Sequence, residues 1–219
     1  MATNIYLVRH GESLGNVENR FLGYTDWDLT EKGYKQAEFA ADYFNDKKVD
    51  AIYSSSLMRA KHTADVLAKR KGLEVKTSPK LREIYGGDWE EMRFEDIAVK
   101  YKDGLWKLWL EGVSDEIATP NGESFKDVLK RVYDELEAIA QQNDGKEVVV
   151  AVHGAVIRVM THFLRFGNLK NIKQTDFAAN ASVTKIVYDK GSFTLEFADE
   201  RSHLGDLVTL IGDIKKDDK

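Results

Sequence analysis

The chain of 219 residues contains no cysteine. Disulfides, thiolate nucleophiles and cysteine-bound zinc are therefore excluded, and a reducing compartment suits it. No stretch approaches the ~20 consecutive apolar residues that a membrane-crossing helix needs. The first apolar run is cut short at Arg9, so it does not read as the core of a secretion signal. A basic arm or stripe is missing too. The 32 Lys and Arg are outnumbered by 37 Asp and Glu, for a net charge of -5, which disfavours nucleic acid as a partner. There is no Gly-x-x-x-x-Gly-Lys phosphate loop, no dinucleotide fingerprint and no pair of histidines at metal-ligand spacing. The expectation is a cytoplasmic protein, monomer or homodimer, that needs neither metal nor cofactor and binds neither nucleic acid nor membrane.

What is present is a core of ordinary size: 42% of the residues are hydrophobic, within single-domain range. Ile5-Tyr6-Leu7-Val8 reads as a buried strand. Asn16 to Leu29, with Gly23, Asp26 and Asp28, reads as a functional loop. Thr30 caps a helix carrying Ala37, Ala40, Ala41 and Phe44 at helical spacing. Ala51-Ile52-Tyr53 is a second strand, and Ser54-Ser55-Ser56 opens a helix that Gly72 ends. Leu73 to Thr77 supplies a third strand. Strand alternating with helix implies a parallel sheet covered by helices. From about residue 86 to 122 the pattern breaks into glycines and tryptophans, as expected of an inserted cap whose core is Trp106 and Trp109 with Leu105, Leu108 and Leu110. Ser124 with Asp127 forms a capping box for a helix to Gln142, followed by the strand Val148 to Val152 and a helix from Ala155 to Phe166. Val183 to Tyr188 and Phe193 to Phe197 read as a closing hairpin. One domain over 1-214 with a disordered tail at 215-219 is expected.

Two of the five histidines share one grammar: an apolar strand, the histidine, then glycine, as in Val8-Arg9-His10-Gly11 and Val152-His153-Gly154. Ligands of open α/β sheets bind beyond the carboxyl ends of strands, so these imidazoles are placed to meet one. Arg9, ending a buried strand, needs an anionic partner. Guanidinium forks grip phosphoryl oxygens two at a time. Arg59 and Arg158, taken singly, read as ordinary exposed helix residues, and His62 and His162 as surface residues. Flanked by guanidinium groups, His10 would stay neutral and nucleophilic, and His153 could donate to the oxygens of a transferring group. Ester cleavage also needs an acid for the departing alkoxide and then a base for water; the carboxyl of Glu83 could serve as both.

These blocks, in this order, resemble the histidine phosphatase superfamily in its phosphoglycerate mutase-like branch. The similarity runs through Arg9-His10-Gly11-Glu12-Ser13 with Asn16, Asn19-Arg20-Phe21-Leu22-Gly23 and Asp28-Leu29-Thr30-Glu31-Lys32-Gly33. It continues through Ser54-Ser55-Ser56-Leu57 with Arg59, Leu81-Arg82-Glu83-Ile84, Gly122-Glu123-Ser124 and His153-Gly154 with Ile157-Arg158. The resemblance implies a three-layer αβα sandwich around a mostly parallel sheet with one antiparallel edge strand and a small helical cap. It implies a phosphohistidine on His10, phosphate held by Arg9, Arg59 and His153, supporting contacts from Asn16 and the Gly154 backbone, and Glu83 as proton donor without a metal. Departures bear on substrate. Leu22, before Gly23, replaces a hydroxyl or amide; Gly15 stands where an aromatic is common, and Glu91 where glycine is usual. Arg93 stands alone where mutases carry paired arginines. Leu22, Gly23 and Arg93 are the residues expected to face the substrate. Hydrolysis of a small phosphorylated metabolite is the expected reaction. A phosphoglycerate mutase requiring 2,3-bisphosphoglycerate is the alternative, and a catalytically idle phosphate-binding module a third.

Overall fold

The computed structural model describes residues 1–102 and 104–210, so the expected tail at 215–219 lies outside the described residues. Strands β1 (Thr3–Arg9), β2 (Ala51–Ser55), β3 (Val75–Ser78), β4 (Glu147–Val152), β5 (Val183–Asp189) and β6 (Ser192–Glu200) form one sheet in the order β3-β2-β4-β1-β5-β6. The first four neighbours are parallel. Strand β5 runs antiparallel to both β1 and β6. The single reversed strand thus lies one in from the edge, because the tight β5–β6 turn returns the chain to the common direction.

The period-two geometry of the strands builds the layers. Ile5, Leu7, Val148 and Val150 enter one apolar cluster with Val132 and Leu136, while Tyr6, Val8, Val149 and Ala151 enter another with Ala60, Ala64 and Leu67. Helices α2 (Glu31–Tyr43) and α3 (Met58–Lys71) cover the second face. Helices α6 (Phe125–Gln142) and α7 (Gly154–Phe166) cover the first. The result is an αβα sandwich. Thr30 caps α2 and the Ser124–Asp127 box starts α6, as their side chains dictate. The serine run behaves otherwise. Ser54 and Ser55 belong to β2, and α3 begins only at Met58 after Leu57, because Ser54 and Ser55 pair with β3 and are wholly buried. Just ahead of the expected loop and running into its first two residues, Leu14–Val17 forms one helical turn, α1, boxed by Ser13 and Asn16.

The cap holds α4 (Phe94–Lys100) and α5 (Leu105–Glu111). Trp109 is buried and Trp106 and Leu105 pack on the core, but Leu108 and Leu110 are exposed and do not join that core. Glu91, at the turn into the cap, has φ 63°. This left-handed conformation strains a residue with a Cβ, and glycine adopts it freely. Glu91→Gly is expected to raise unfolding free energy by about 0.5 to 1 kcal/mol in urea melts.

Candidate active site

Strands β1 and β4 lie side by side with Arg9 opposite Val152, so His10 and His153 emerge as neighbours from the carboxyl edge of the sheet. Their ring centroids are 5.2 Å apart, and both side chains are almost wholly buried. The His10 amide donates to the Val152 carbonyl at 3.0 Å, which ties the two strand ends together. The glycine after His10 has a steric reason. A Cβ at Gly11 would stand 2.3 Å from the carbonyl oxygen of Gly33, where the loop crosses the first turn of α2.

His10 Nδ1 lies 2.6 Å from the Gly11 carbonyl oxygen. A carbonyl only accepts, so Nδ1 carries the proton and Nε2 keeps its lone pair. Burial, reinforced by Arg59 and Arg9, pushes the His10 pKa well below the usual imidazole value. The same forces act on His153, burial first and then Arg59. Both rings are therefore neutral at neutral pH. Burial lowers Arg9 and Arg59 to about 10, which still leaves both guanidinium groups charged. Among the described residues, Arg9 Nε and both His153 ring nitrogens have no hydrogen-bond partner although they are buried. Such groups cost about 1–3 kcal/mol each when left unpaired, a penalty that an anion in the site would relieve.

The Glu83 carboxylate reaches the same place from the loop after β3. Its Oε2 accepts from the Ala155 amide at 3.1 Å and its Oε1 from the Ile84 amide at 2.9 Å. Burial nevertheless raises its pKa above the ordinary carboxylate value. The loop is clamped from α6. Arg131 donates to the carbonyls of Lys80, Arg82 and Glu83 and pairs doubly with Glu123, which in turn accepts from the Tyr85 amide. Arg131 is thus a positioning residue for Glu83. Arg131→Ala is expected to lower kcat about 10²-fold through misplacement of the acid, with KM little changed. Lysine should not rescue it, because one ammonium cannot span three carbonyls and a carboxylate.

Residues 22–25 cross above Arg59. Their carbonyls face its guanidinium, with Nη2 donating to Leu22 at 3.2 Å and Gly23 at 2.8 Å and Nη1 to Thr25 at 2.9 Å. Their amides face Glu90, whose carboxylate accepts from Gly23, Tyr24 and Thr25. The Leu22 side chain fills the space over Gly15, where a Cβ would stand 2.0 Å from its Cδ1. Of these residues, Leu22 borders a cavity of about 290 Å³ that is also lined by Arg9, His10, Asn16, Arg59 and Glu83. His153 stands beside His10, wholly buried, and the Gly154 backbone lies against Arg9, 3.5 Å from its Nε for a Cβ placed there. Asn16 Oδ1 accepts from the Ser13 amide and from Asn180 Nδ2, and Asn180 also donates to the His10 carbonyl. Among the described residues, no group of three or more His, Asp or Glu side chains is gathered to hold a metal ion.

The model of the histidine phosphatase superfamily (branch 1) matches residues 5–200. The chain belongs to that superfamily. It is 32% identical over 204 residues to the metal-independent phosphoserine phosphatase of Arabidopsis thaliana, covering 92% of this chain and 83% of that protein. It is 30% identical over 203 residues to phosphoglycerate mutase-like protein 4 of the same plant, covering 91% and 86%. Bacillus stearothermophilus YhfR superposes with a TM-score of 0.86 at 29% identity, over 92% of this chain and 99% of that one. Relatives thus carry the names of both phosphatases and mutases.

In this member of the superfamily several expected placements are revised. Arg59 and Arg158 are not exposed helix residues. Arg59 is 1% exposed at the cavity, and Arg158, 5% exposed, donates to the Thr175 and Ile172 carbonyls beneath the Phe177 ring. His162 is buried on the same segment, bonded to Thr175 and to the Lys170 carbonyl. His62 is partly covered and joined to Asp28 and Tyr34. Arg93 does not line the cavity. Arg20, paired with it across a short bridge, does. Gly23 contributes backbone to the Arg59 clamp rather than a cavity wall. Among the described residues, no helix is long and apolar enough to cross a membrane.

The buried neutral histidines make stability depend on pH. Their folded pKa values lie below the unfolded value, so below about pH 6.5 the unfolded chain binds more protons. Stability is full above that pH and falls as pH drops toward the depressed folded values. The expected slope is about 1.4 kcal/mol per pH unit for each histidine. Replacing His153 with Gln should remove one such increment in urea melts between pH 5 and 6.5.

Proposed function

We propose that this chain is a phosphomonoesterase that acts without a metal ion on a small phosphorylated metabolite, through a phosphohistidine on His10. The observation that supports it is the free, neutral Nε2 of His10 set among Arg9, Arg59 and His153, with the Glu83 carboxyl in the same cavity wall. In the first step Nε2 bonds to phosphorus as the ester P–O bond breaks, and Glu83 gives its proton to the leaving alkoxide. The guanidinium groups balance charge on the non-bridging oxygens, and His153 donates to them as the transition state forms. In the second step water attacks phosphorus, its proton passes to Glu83, and the P–N bond breaks. Phosphate leaves, with His10 neutral and Glu83 protonated once more. Asn16 and the Gly154 backbone support the phosphate.

The test is phosphate release from a panel of monoesters in excess EDTA, with 3-phosphoglycerate and a trace of 2,3-bisphosphoglycerate assayed in parallel. Phosphate release that survives EDTA supports the reading. Formation of 2-phosphoglycerate faster than free phosphate would replace it with a mutase, and inertness across the panel with an idle phosphate binder.

A further inference from the structure

The cavity changes character along its depth. Its inner end holds the buried Arg9, His10 and Arg59 and the half-buried Glu83, with the two guanidinium groups charged. Its outer walls are Leu22, Phe94, Trp106, Leu110 and Phe177. Phe94, Trp106 and Trp109 form a continuous stack, with adjacent ring planes 21° and 11° apart at centroid separations of 5.9 and 5.8 Å. Leu110 is 38% exposed at the rim, so this apolar surface is wet until something covers it. Leu22 is held in the wall by the hollow over Gly15.

Among the described residues, one cation besides Arg9 and Arg59 lines the cavity, and it is already engaged. Arg20 Nε donates to Glu18 at 2.6 Å, its Nη1 donates to the Glu91 carbonyl at 2.6 Å, and its guanidinium stands over Trp27. An alcohol bearing a carboxylate or an ammonium group would shed water against aromatic carbon and find no free counter-charge, which is costly. An uncharged ring would lose only ordered water and gain stacking area.

We propose that the outer chamber is a leaving-group site for an uncharged, ring-bearing alcohol. The preferred substrate is then the phosphate monoester of such an alcohol rather than of an amino acid or hydroxy acid. The proposal rests on the phosphomonoesterase reading above and narrows it. A volume of about 290 Å³ stands at the small end of the range for small-molecule pockets, which favours a compact ring over a long chain.

The experiment compares kcat/KM for 2-phenylethyl phosphate, phosphoserine and 3-phosphoglycerate, all esters of aliphatic alcohols that depart with similar difficulty. The expected result is an advantage of about tenfold or more for the phenylethyl ester. Two variants test the wall. Trp106→Ala should cut the ratio of phenylethyl ester to phosphoserine about tenfold. Leu110→Lys, at an exposed position that tolerates a charge, should move the ratio the same way by supplying the missing cation. Equal or better cleavage of phosphoserine or 3-phosphoglycerate by the unaltered chain overturns the proposal and leaves the phosphomonoesterase reading standing. Ratios unmoved in both variants also overturn it. If none of the esters is cleaved and none labels His10, the parent reading fails and the proposal with it.

Discussion

His10→Ala is expected to lower phosphate release by about 10⁴-fold or more, and to abolish acid-labile phosphate on the protein after a rapid quench. The magnitude follows from what is lost. Among the described residues, the one hydroxyl on the cavity wall is that of Ser13, and it is engaged twice by Asn16, donating to its Oδ1 and accepting from its amide, so it is no ready substitute for the imidazole. The fold should survive, since among the described residues the His10 side chain bonds only to its own neighbour's carbonyl. Phosphate affinity should survive as well, with Arg9 and Arg59 untouched. Turnover within about tenfold of the parent, where removal of a true nucleophile costs far more, would mean that water is attacked directly and that the covalent route is wrong.

Glu83→Gln is expected to separate the two half-reactions. With an alkyl ester the loss should be about 10²- to 10⁴-fold, the usual contribution of a positioned acid. With 4-nitrophenyl phosphate the first step should be almost spared, because nitrophenolate leaves without a proton. The second step still needs a base, so nitrophenol should appear in a burst of one equivalent while phosphate stays on His10. The raised pKa of Glu83 suits the acid role and comes from burial, against the pull of two backbone amides. Equal losses on both esters, with no burst, would assign Glu83 a merely structural part.

Residues whose setting is local were legible in the sequence, and residues whose setting is made by distant chain were not. His10 and His153 could be placed because a buried strand must end somewhere, and both end in the same way. The register that makes them neighbours follows from a parallel β1–β4 pair. The caps of α2 and α6 are written in Thr30, Ser124 and Asp127. Arg158 and His162 misled because α7 is covered on its outer side by the irregular stretch from 168 to 178, which has no periodicity to announce it. Arg20 and Arg93 lie opposite each other across a bridge, and Arg20, not Arg93, lines the cavity, a placement that needs the pairing of distant segments to be in view. Arg131 carries no signal beyond its place on α6, seven residues after Ser124, and its partner Glu123 reads only as part of Gly122-Glu123-Ser124. Its role needs the loop of Glu83 to be in view.

The strip of backbone from Leu22 to Thr25 is gripped on one side by Glu90 and on the other by Arg59. Under the proposed function, the cap through Glu90 and the phosphate-binding Arg59 therefore share one strip of backbone. A descendant that exchanges its cap for another must bring a carboxylate back to the same spot, or the guanidinium beneath loses the shelf that steadies it. Divergence of specificity here should proceed by repainting the aromatic wall, leaving the strip and its two anchors as they are.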